Sequence, residues 1–407
     1  MTNARSKVAV VGVAVAYGAQ GLGYAAMVTA MPAIKERVGL SDVGVSAVLL
    51  AVCICAALGS MLAERVSVRW DSRTAVCAGF AVQFAAMLIT STTHYLPIYL
   101  ASATLFGLGV GMVDAAVNMQ GVAVQSRGET LLLGRFYSVF TAAGILGALA
   151  SSGFAALHVS PIRLVTVIAF VQLAVAISGW FRLDTQPPGG TASTSASTCR
   201  SSAVLPHRAI FAIGSLIFVV YVLDASVSSW STIYLSEGLL TTAAAAPVGY
   251  AAYLGVVLVT RLVIDDAANY WGRRLIGTLA ATTAAAACFA VVFGPHVWVA
   301  ILGFGLSGVA TGALVPLAFT AAGELLPERT DEIVARVNLF NYGGAVTGAV
   351  FAGIVATGAD LRFTYLLPAA AFLLALPVIR RLEGPIRSRG ITPTEETQDA
   401  AVRPEQN

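Results

Sequence analysis

Two aspartates lie inside long apolar stretches that carry no other charged residue. Asp114 belongs to the stretch 98–123, and Asp224 belongs to the stretch 209–235. Because lipid strongly penalises a buried charge, a carboxylate in such a stretch marks a site for an ion or a substrate. A carboxylate that is ionised in a hydrated opening and neutral when occluded can carry a proton. The sequence therefore predicts proton-coupling roles for Asp114 and Asp224.

The position of Asp114 agrees with this interpretation. It lies about 14 Å from one end of its stretch, given the rise per residue of a helix, and so close to mid-bilayer. Gly107, Gly111 and Asn118 recur at helical spacing with Asp114, so small and polar residues share one helix face. The alternative is that each aspartate caps or pairs with a neighbouring helix and never titrates.

Other polar and aromatic side chains lie in the apolar stretches. Amide and aromatic groups in a bundle interior suit a polar organic solute, but they also serve as hydrogen bonds between membrane helices. With that alternative left open, the substrate-binding residues that we predict are Tyr17, Gln20, Tyr24, Asn118, Ser228, Trp230 and Asn341.

The composition is that of a membrane protein. Of the 407 residues, 57% are hydrophobic and only 11% are charged, whereas an average soluble domain has roughly 25% charged residues. Stretches of about 20 residues, long enough to cross a bilayer, lie at 8–31, 43–63, 74–92, 98–123, 135–157, 162–181, 209–235, 247–265, 275–293, 297–322, 335–357 and 362–380. The predicted fold class is all-α: a polytopic membrane protein with twelve transmembrane helices in two pseudo-symmetric six-helix bundles.

The two bundles are indicated by a repeat at an offset of 201 residues. The pairs that coincide at this offset are Glu64 with Asp265, Trp70 with Trp271, Arg73 with Arg274 and Arg135 with Arg336. A register that holds across separate segments indicates two copies of one unit, as in many transporters. The predicted units are an N-terminal bundle at 1–183, a flexible cytoplasmic linker at 184–207, a C-terminal bundle at 208–383 and a disordered cytoplasmic tail at 384–407.

The two aspartates break this symmetry. When the fourth span is aligned with the tenth, Asp114 falls on Ala310. When the first span is aligned with the seventh, Asp224 falls on Gln20. Since the symmetry of the fold requires neither carboxylate, their presence in one copy each favours chemistry over architecture.

The basic residues indicate the orientation in the membrane. If the N-terminus is cytoplasmic, only Lys35, Arg37, Arg163 and Arg362 of the 24 Lys and Arg residues fall outside. We therefore predict a multi-pass protein of the cell (inner) membrane with both termini in the cytoplasm. The basic residues are dispersed over short loops without interleaved aromatics, so nucleic acid is not a predicted partner.

Other classes of chemistry lack support in the sequence. The five cysteines and four histidines show no metal-ligand or redox spacing, so we predict unpaired thiols, no metal site and no cofactor. A phosphate-binding Gly-rich loop is missing, which leaves an ion gradient or the solute's own gradient as the energy source. Neither a nucleophile with its base nor a metal cluster points to an enzyme.

With these features the chain resembles the major facilitator superfamily over its full length apart from the linker and tail. That superfamily has, after its second span, a Gly, an Asp-Arg pair, a Gly and a basic pair. The first copy here departs from the pattern with Ser60 and Ser67, and the second copy keeps Gly272. The resemblance implies a cytoplasmic gate whose charges bridge the two halves in one state and part in the other, formed by Glu64, Arg65, Arg69, Arg261, Asp265, Arg273 and Arg274.

More narrowly, the fourth span resembles the fucose–proton symporter group, whose acid precedes an Asn by four residues. Asp114 and Asn118 match that pattern, and the resemblance links the acid to proton coupling. The seventh-span pattern of this group is matched by Asp224 and Trp230, but Ser229 replaces its second acid. Tyr137 replaces the His that this group often has in the fifth span.

These observations predict a secondary transporter that works by alternating access on a small polar organic solute, sugar-like or a metabolite. Protons, membrane lipids and the solute are its expected partners, and a monomer is expected. One alternative is a proton-driven efflux pump, although the usual marks of drug antiporters are missing at Ala103 and at Gly147-Ala148. A non-transporting membrane sensor is the other alternative, and the charged residues retained in the second copy argue against it.

Overall fold

The computed structural model describes residues 2–127, 131–157, 159–183, 205–241, 248–294, 296–356 and 360–382. In these ranges the regular structure is entirely helical, which confirms the all-α prediction. The linker predicted at 184–207 lies outside the described residues up to residue 204, and the tail predicted at 384–407 lies wholly outside them.

Each bundle consists of six helical segments in chain order. The first contains α1 (Thr2–Val38), α2 (Asp42–Arg69), α3 (Ser72–Thr92), α4 (Leu96–Ser126), α5 (Leu133–Ala156) and α6 (Pro161–Arg182). The second contains α7 (His207–Ile233), α8 (Val248–Trp271), α9 (Arg273–Phe293), α10 (Val297–Glu324), α11 (Thr330–Ala356) and α12 (Leu366–Ala375). A π-helical turn, Tyr234–Gly238, prolongs α7, and 3-10 turns at Leu361–Tyr365 and Leu376–Leu382 prolong α12.

Eleven of these segments have the length and hydropathy of a membrane span within the described residues. The exception is α11, which is 27 residues long. It carries Arg336, Asn338 and Asn341 along its first half, and these polar groups lower its hydropathy. The span predicted at 335–357 is therefore a helix of the bundle with an unusually polar composition.

Two helices extend further than their apolar stretches. The second predicted span ends at 63 and the eighth at 265, whereas α2 continues to Arg69 and α8 to Trp271. The polar residues there, among them Glu64 and Asp266, are compatible with a helical backbone. The predicted gate residues on these two elements thus lie on rigid helix ends, not on loops.

The same tight bend follows α2 and α8, but the two copies build it differently. After α2, the Asp71 side chain accepts a hydrogen bond from the backbone N–H of Thr74 at 2.6 Å and caps α3. After α8, the equivalent residue is Gly272, whose φ of 86° lies in the left-handed region that favours glycine. Sequence equivalence in this repeat therefore preserves the path of the chain more than its chemistry.

Glycines allow helices to pack backbone to backbone within each bundle. A Cβ added at Gly21 in α1 would lie 2.2 Å from the carbonyl oxygen of Phe140 in α5. The equivalent helix pair in the second bundle is α7 with α11, where a Cβ at Gly344 would lie 2.3 Å from the carbonyl oxygen of Phe218. Close packing of this kind fixes the helices that carry the polar residues.

The two bundles meet mainly at one end of the molecule. We call it the basic end, because it carries the α2–α3, α4–α5, α8–α9 and α10–α11 connections with most of the basic residues; the opposite end is the far end. Among the described residues, the hydrogen bonds that join the bundles lie between the level of Asp114 and the basic end. The molecule is therefore closed at its basic end in this conformation.

Helix packing at glycine gives a first prediction. A Cβ at Gly111 in α4 would lie 1.8 Å from the carbonyl oxygen of Ala56 in α2, so Gly111→Ala must push two backbones apart. We expect a loss of about 1–3 kcal/mol of stability, the usual cost of overpacking, measured as a lower apparent melting temperature in detergent.

The matched control is Gly255→Ala. Gly255 is a helical glycine whose added Cβ would lie more than 4 Å from every described atom outside its own stretch of helix backbone. It should keep or slightly raise the melting temperature, because alanine has the higher helix propensity. Equal melting temperatures for the two variants would contradict this account of the α2–α4 contact.

Candidate functional site

Asp114 lies half-buried on α4 and takes hydrogen bonds from both bundles. Gln20 of α1 donates from Nε2 to Oδ1 at 2.7 Å. Tyr342 of α11 donates its hydroxyl to Oδ2 at 3.0 Å. One carboxylate near the middle of the membrane thus joins the first bundle to the second. Asp114 and Gln20, which the sequence assigns to proton coupling and to substrate binding, are brought together.

Behind Gln20 the hydrogen bonds continue through two more glutamines. Gln83 of α3 donates from Nε2 to Oε1 of Gln20 at 2.8 Å. Gln172 of α6 donates from Nε2 to Oε1 of Gln83 at 2.9 Å. All three glutamines are buried. We call Gln20, Gln83 and Gln172 the amide chain, and it ends on Asp114.

Asn118, one turn along α4 from Asp114, organises two tyrosines. Its Oδ1 accepts hydrogen bonds from the hydroxyls of Tyr17 and Tyr137, each at 2.7 Å. Its Nδ2 donates to the backbone oxygen of Asp114 at 2.8 Å. Asn118 is 3% exposed and Tyr17 is 2% exposed, so in this conformation both contact protein groups and not solvent.

These tyrosines belong to an aromatic layer on the basic side of Asp114. Tyr17 stacks on Phe136 with ring centroids 5.6 Å apart. Tyr137 stacks on Phe319 of the second bundle at 6.3 Å. The Arg261 guanidinium lies 5.1 Å from the centroid of the Tyr137 ring, a cation–π geometry. The layer crosses from one bundle to the other and lies between Asp114 and the basic end.

Asp224 on α7 has partners in its own bundle. The Tyr253 hydroxyl of α8 donates to Oδ1 of Asp224 at 2.7 Å and also lies 2.8 Å from Oγ1 of Thr311 in α10. The nearby Ser228 and Ser231 hydroxyls form no hydrogen bond with this carboxylate among the described contacts. Instead, Ser228 donates to the backbone oxygen of Ala225 at 3.3 Å, because a helical serine reaches its own preceding turn readily. Ser231 is buried, with no partner among the described residues.

Tyr24 of α1 lies on the side of Asp114 away from the basic end, where no hydrogen bond joins the bundles among the described residues. Its side chain is 52% exposed, yet it lies within electrostatic range of both Asp114 and Asp224. Ser228 is exposed, and Trp230 and Asn341 are half-buried. Of the predicted substrate residues, these four reach the surface of the molecule, whereas Tyr17, Gln20 and Asn118 lie behind them in the first bundle.

At the basic end, the start of α5 is held by side chains from two other helices. The first backbone N–H groups of a helix lack partners within it. Gln125 of α4 accepts from the N–H groups of Leu132 and Leu133 at 2.8 and 3.1 Å. Asp265 of α8 accepts from those of Gly134 and Arg135 at 3.0 and 2.9 Å. The second bundle thus caps a helix of the first, and the helix dipole favours the carboxylate there.

The equivalent acid of the first bundle uses a different partner. Glu64 of α2 accepts from Nη2 and Nε of Arg336 in α11 at 3.2 and 3.3 Å. One turn earlier, the Ser60 hydroxyl donates to the backbone oxygen of Ala335 at 3.3 Å and accepts from Nδ2 of Asn338 at 3.3 Å. An ion pair here replaces the helix cap of the other copy.

Arg261 crosses the interface from α8. It is 6% exposed and donates from Nη1 to the hydroxyl of Thr141 and to the backbone oxygen of Tyr137, both in α5. Glu64, Arg261 and Asp265 therefore lie at the interface, as the predicted gate requires.

The other predicted gate residues have other surroundings. Arg273 pairs with Glu324 of its own bundle at 2.9 Å. Arg65 and Arg69 are exposed, and the Arg69 guanidinium lies 5.3 Å from the ring centroid of Trp70 in the same bundle. Arg274 lies at the start of α9 next to Arg273. Among the described contacts, Arg65, Arg69 and Arg273 do not bridge the bundles in this conformation.

Sequence reasoning did not single out several of these partners as site residues. Gln83, Gln172 and Tyr253 are fully buried, and each is a polar residue within an apolar span. Their isolation was a usable signal, because membrane helices bury such groups only against a partner. Arg336 was marked only by the 201-residue repeat, which does not reveal that its partner is Glu64.

Comparison with known proteins assigns the chain to a family. The family model for the Major Facilitator Superfamily matches residues 13–289 and 244–404. An uncharacterized MFS-type transporter of Yersinia pestis is 26% identical over 351 residues, covering 85% of this chain and 88% of that protein. Membrane protein MosC of Rhizobium meliloti is 23% identical over 380 residues, covering 93% of this chain and 90% of that protein.

Solved structures share the fold at low identity. A variant of the E. coli fucose:proton symporter FucP superposes with a TM-score of 0.77 at 13% identity, covering 92% of this chain and 98% of that chain. The proton:xylose symporter XylE superposes with a TM-score of 0.73 at 14% identity, covering 94% of this chain and 96% of that chain. At this identity the likeness establishes the two-bundle architecture alone.

The helix cap at the interface gives a second prediction. Asp265→Ala removes two hydrogen bonds to the start of α5, about 1–2 kcal/mol, so the basic end should open roughly tenfold more often. The reporter is maleimide labelling of Ser60→Cys, which is buried at the closed interface, in a background without native cysteines. Labelling of the exposed Ser228→Cys should fall in parallel.

The control is Asp266→Ala, which removes the neighbouring acid. Asp266 forms an ion pair with Arg135, and their side chains are 72% and 54% exposed, respectively. Exposed pairs contribute little, so its labelling should match that of the parent. If Asp265→Ala also matches the parent at both reporters, these charges set membrane orientation and do not form a gate.

Proposed function

The chain belongs to the Major Facilitator Superfamily, and we propose that it is a secondary active transporter that moves a small polar organic solute together with protons by alternating access. The observation that carries this proposal is the Asp114 carboxylate. It accepts hydrogen bonds from Gln20 of one bundle and from Tyr342 of the other. A group that can take up a proton therefore forms part of the contact that a transport cycle must break.

The proton acts through the strength of these hydrogen bonds. Donors bind an ionised carboxylate roughly twice as strongly as a neutral acceptor. When Asp114 takes up a proton, the bond from the Tyr342 hydroxyl weakens and one link between the bundles loosens. Protonation and the relative movement of the bundles are thereby coupled, which is the requirement for proton-driven transport.

The solute site that we propose is the open space between the bundles. We assign to it Tyr24 and Ser228, which are exposed, and Trp230, Asn341 and Asp224, which are half-buried. Hydroxyl, amide, indole and carboxylate groups together suit a solute with several hydroxyl or amine groups and an apolar face. FucP is a fucose:proton symporter and XylE is a proton:xylose symporter. A sugar-like solute or a metabolite is the corresponding class that we propose here.

The orientation that we propose follows the positive-inside rule. The basic end faces the cytoplasm, both termini are cytoplasmic, and the protein resides in the cell (inner) membrane as a monomer. The closed basic end then makes this conformation outward-facing. Flow in the opposite direction, efflux against proton entry, uses the same groups. Transport measured in right-side-out and in inverted vesicles under an imposed pH gradient distinguishes uptake from efflux.

Asp114→Asn gives a third prediction, about coupling. The amide mimics the neutral carboxyl, so the protein should insert, bind solute and exchange it down a gradient, but it should no longer accumulate solute under a pH gradient. The measurement is solute uptake into proteoliposomes with and without a pH gradient, after a thermal-shift screen has identified a solute. Uphill accumulation by Asp114→Asn would show that the proton binds elsewhere.

Asp224 gives a fourth prediction, about binding. Asp224→Ala removes an acceptor near the open space and leaves the Tyr253 hydroxyl without this partner, so solute affinity should fall by about 1–3 kcal/mol. Asp224→Glu should cause a smaller loss, because the longer side chain moves the charge and keeps it. Calorimetric titration of both variants measures the change, with Ser229→Ala as an exposed control. Wild-type affinity in Asp224→Ala would reduce Asp224 to a packing residue.

A further inference from the structure

The amide chain has a direction. In each of its bonds an Nε2 donates towards Asp114, from Gln172 to Gln83, from Gln83 to Gln20, and from Gln20 to the carboxylate. At the distal end, Oε1 of Gln172 is buried and has no hydrogen-bond partner among the described residues. Three amide dipoles therefore point their positive ends at one carboxylate, and the unpaired oxygen lies at the end furthest from it.

The surrounding helices leave space for this arrangement. A Cβ at Gly23 of α1 would lie 1.9 Å from Nε2 of Gln172, and a Cβ at Gly109 of α4 would lie 2.7 Å from Cγ of Gln83. Larger residues at either position would displace the glutamines. In the second bundle the residue equivalent to Gln83 is Ala284, which is buried. The amide chain is thus a feature of the bundle that contains Asp114 and not a requirement of the fold.

The amide chain supplies hydrogen-bond donors to a carboxylate that has no cationic partner within the described ranges. In the described part of the molecule, Asp114 forms no ion pair. The titratable groups within electrostatic range of it are Tyr342 of α11, Tyr221 of α7, and Tyr17 and Tyr24 of α1. Asp224 and Arg261, the charged groups near these helices, interact with those tyrosines. The ionised carboxylate therefore depends on hydrogen-bond donors.

Resting on the proposed function, we propose that Gln20, Gln83 and Gln172 are positioning residues that stabilise the ionised form of Asp114 and set the pH at which it exchanges its proton. Each bond in a chain polarises the next, so the two distal glutamines strengthen the donor that Gln20 presents. Amides suit this task because they stabilise a charge without carrying one. A lysine or arginine at the same place would hold Asp114 ionised throughout the cycle.

Protonation reverses the amide chain. A proton on Oδ1 makes Asp114 a donor, and Gln20 rotates to present Oε1 to it. Nε2 of Gln20 then donates to Oε1 of Gln83, and Nε2 of Gln83 donates to Oε1 of Gln172, the atom that has no partner in the ionised state. The number of bonds within the chain is unchanged, and no amide gains or loses a proton. The reversal gives up two long bonds to backbone oxygens, from Nε2 of Gln20 to Val110 at 3.3 Å and from Nε2 of Gln172 to Ala19 at 3.4 Å, so the reversed chain is the less stable arrangement until Asp114 is protonated.

The test is a pH titration of Asp114 by infrared difference spectroscopy on the full-length protein without solute. The band of the protonated carboxyl is assigned by its loss in Asp114→Asn. Methionine replaces glutamine with similar length and no donor. Gln20→Met should move the midpoint upward by about one to two pH units, because the ionised form loses a charged hydrogen bond. Gln83→Met and Gln172→Met should move it upward by about half a unit.

The matched control is Gln120→Met. Gln120 is a buried glutamine that joins the same helices, α4 and α3, by donating to the Ser72 hydroxyl at 2.9 Å. Its removal should leave the midpoint unchanged. If a methionine variant does not fold, Gly23→Ala provides a second route, since it displaces the Gln172 amide and should also raise the midpoint.

The outcomes separate the two proposals. Upward shifts in Gln83→Met and Gln172→Met, with none in Gln120→Met, support the amide chain. An Asp114 band that titrates at the wild-type midpoint in all of these folded variants overturns it and leaves proton coupling intact. Uphill accumulation by Asp114→Asn, measured separately in proteoliposomes, overturns the proposed function itself.

Discussion

The structure depends on one constraint: a carboxylate near mid-bilayer must receive hydrogen bonds from the protein, because lipid supplies none. Asp114 meets this constraint with donors from both bundles, Gln20 on α1 and Tyr342 on α11. The bond from Tyr342 holds α11 of the second bundle against α4. The bond from Gln20 connects α4 to α1, and Gln83 and Gln172 extend this connection to α3 and α6. Five helices are thus arranged around a single ionisable group.

The two bundles share a fold and divide the chemistry. At equivalent positions near the basic end, Asp265 caps the start of α5 and Glu64 pairs with Arg336 of α11. Both contacts span the interface, and each uses an acid on the helix that precedes the bend. Further in, Asp114 occurs only in the first bundle and Asp224 only in the second. Such division is expected if symmetry provides two halves that move and asymmetry provides the site between them.

The fold could be predicted from sequence because apolar length and the repeat are properties of the chain itself. The site could be predicted only in part. Asp114 and Asp224 are visible as lone charges, since their cost in lipid makes them rare. Gln83 resembles any other polar residue in a span until the packing of α3 against α1 reveals its partner. Likewise, helical spacing puts Ser228 one turn after Asp224, yet the Ser228 hydroxyl donates to the backbone oxygen of Ala225. The hydroxyl that binds Asp224 comes from Tyr253 on α8, which spacing along α7 cannot indicate.

The central claim is that the proton on Asp114 controls the contact between the bundles. Its most direct test is the distance between spin labels at the far end, attached at His94 in the first bundle and Phe293 in the second, measured against pH without solute by double electron–electron resonance. The account predicts that short distances gain population as the pH falls, and that Asp114→Asn shows this acid distribution at every pH. A distribution in Asp114→Asn that still follows pH as the wild type does would contradict it.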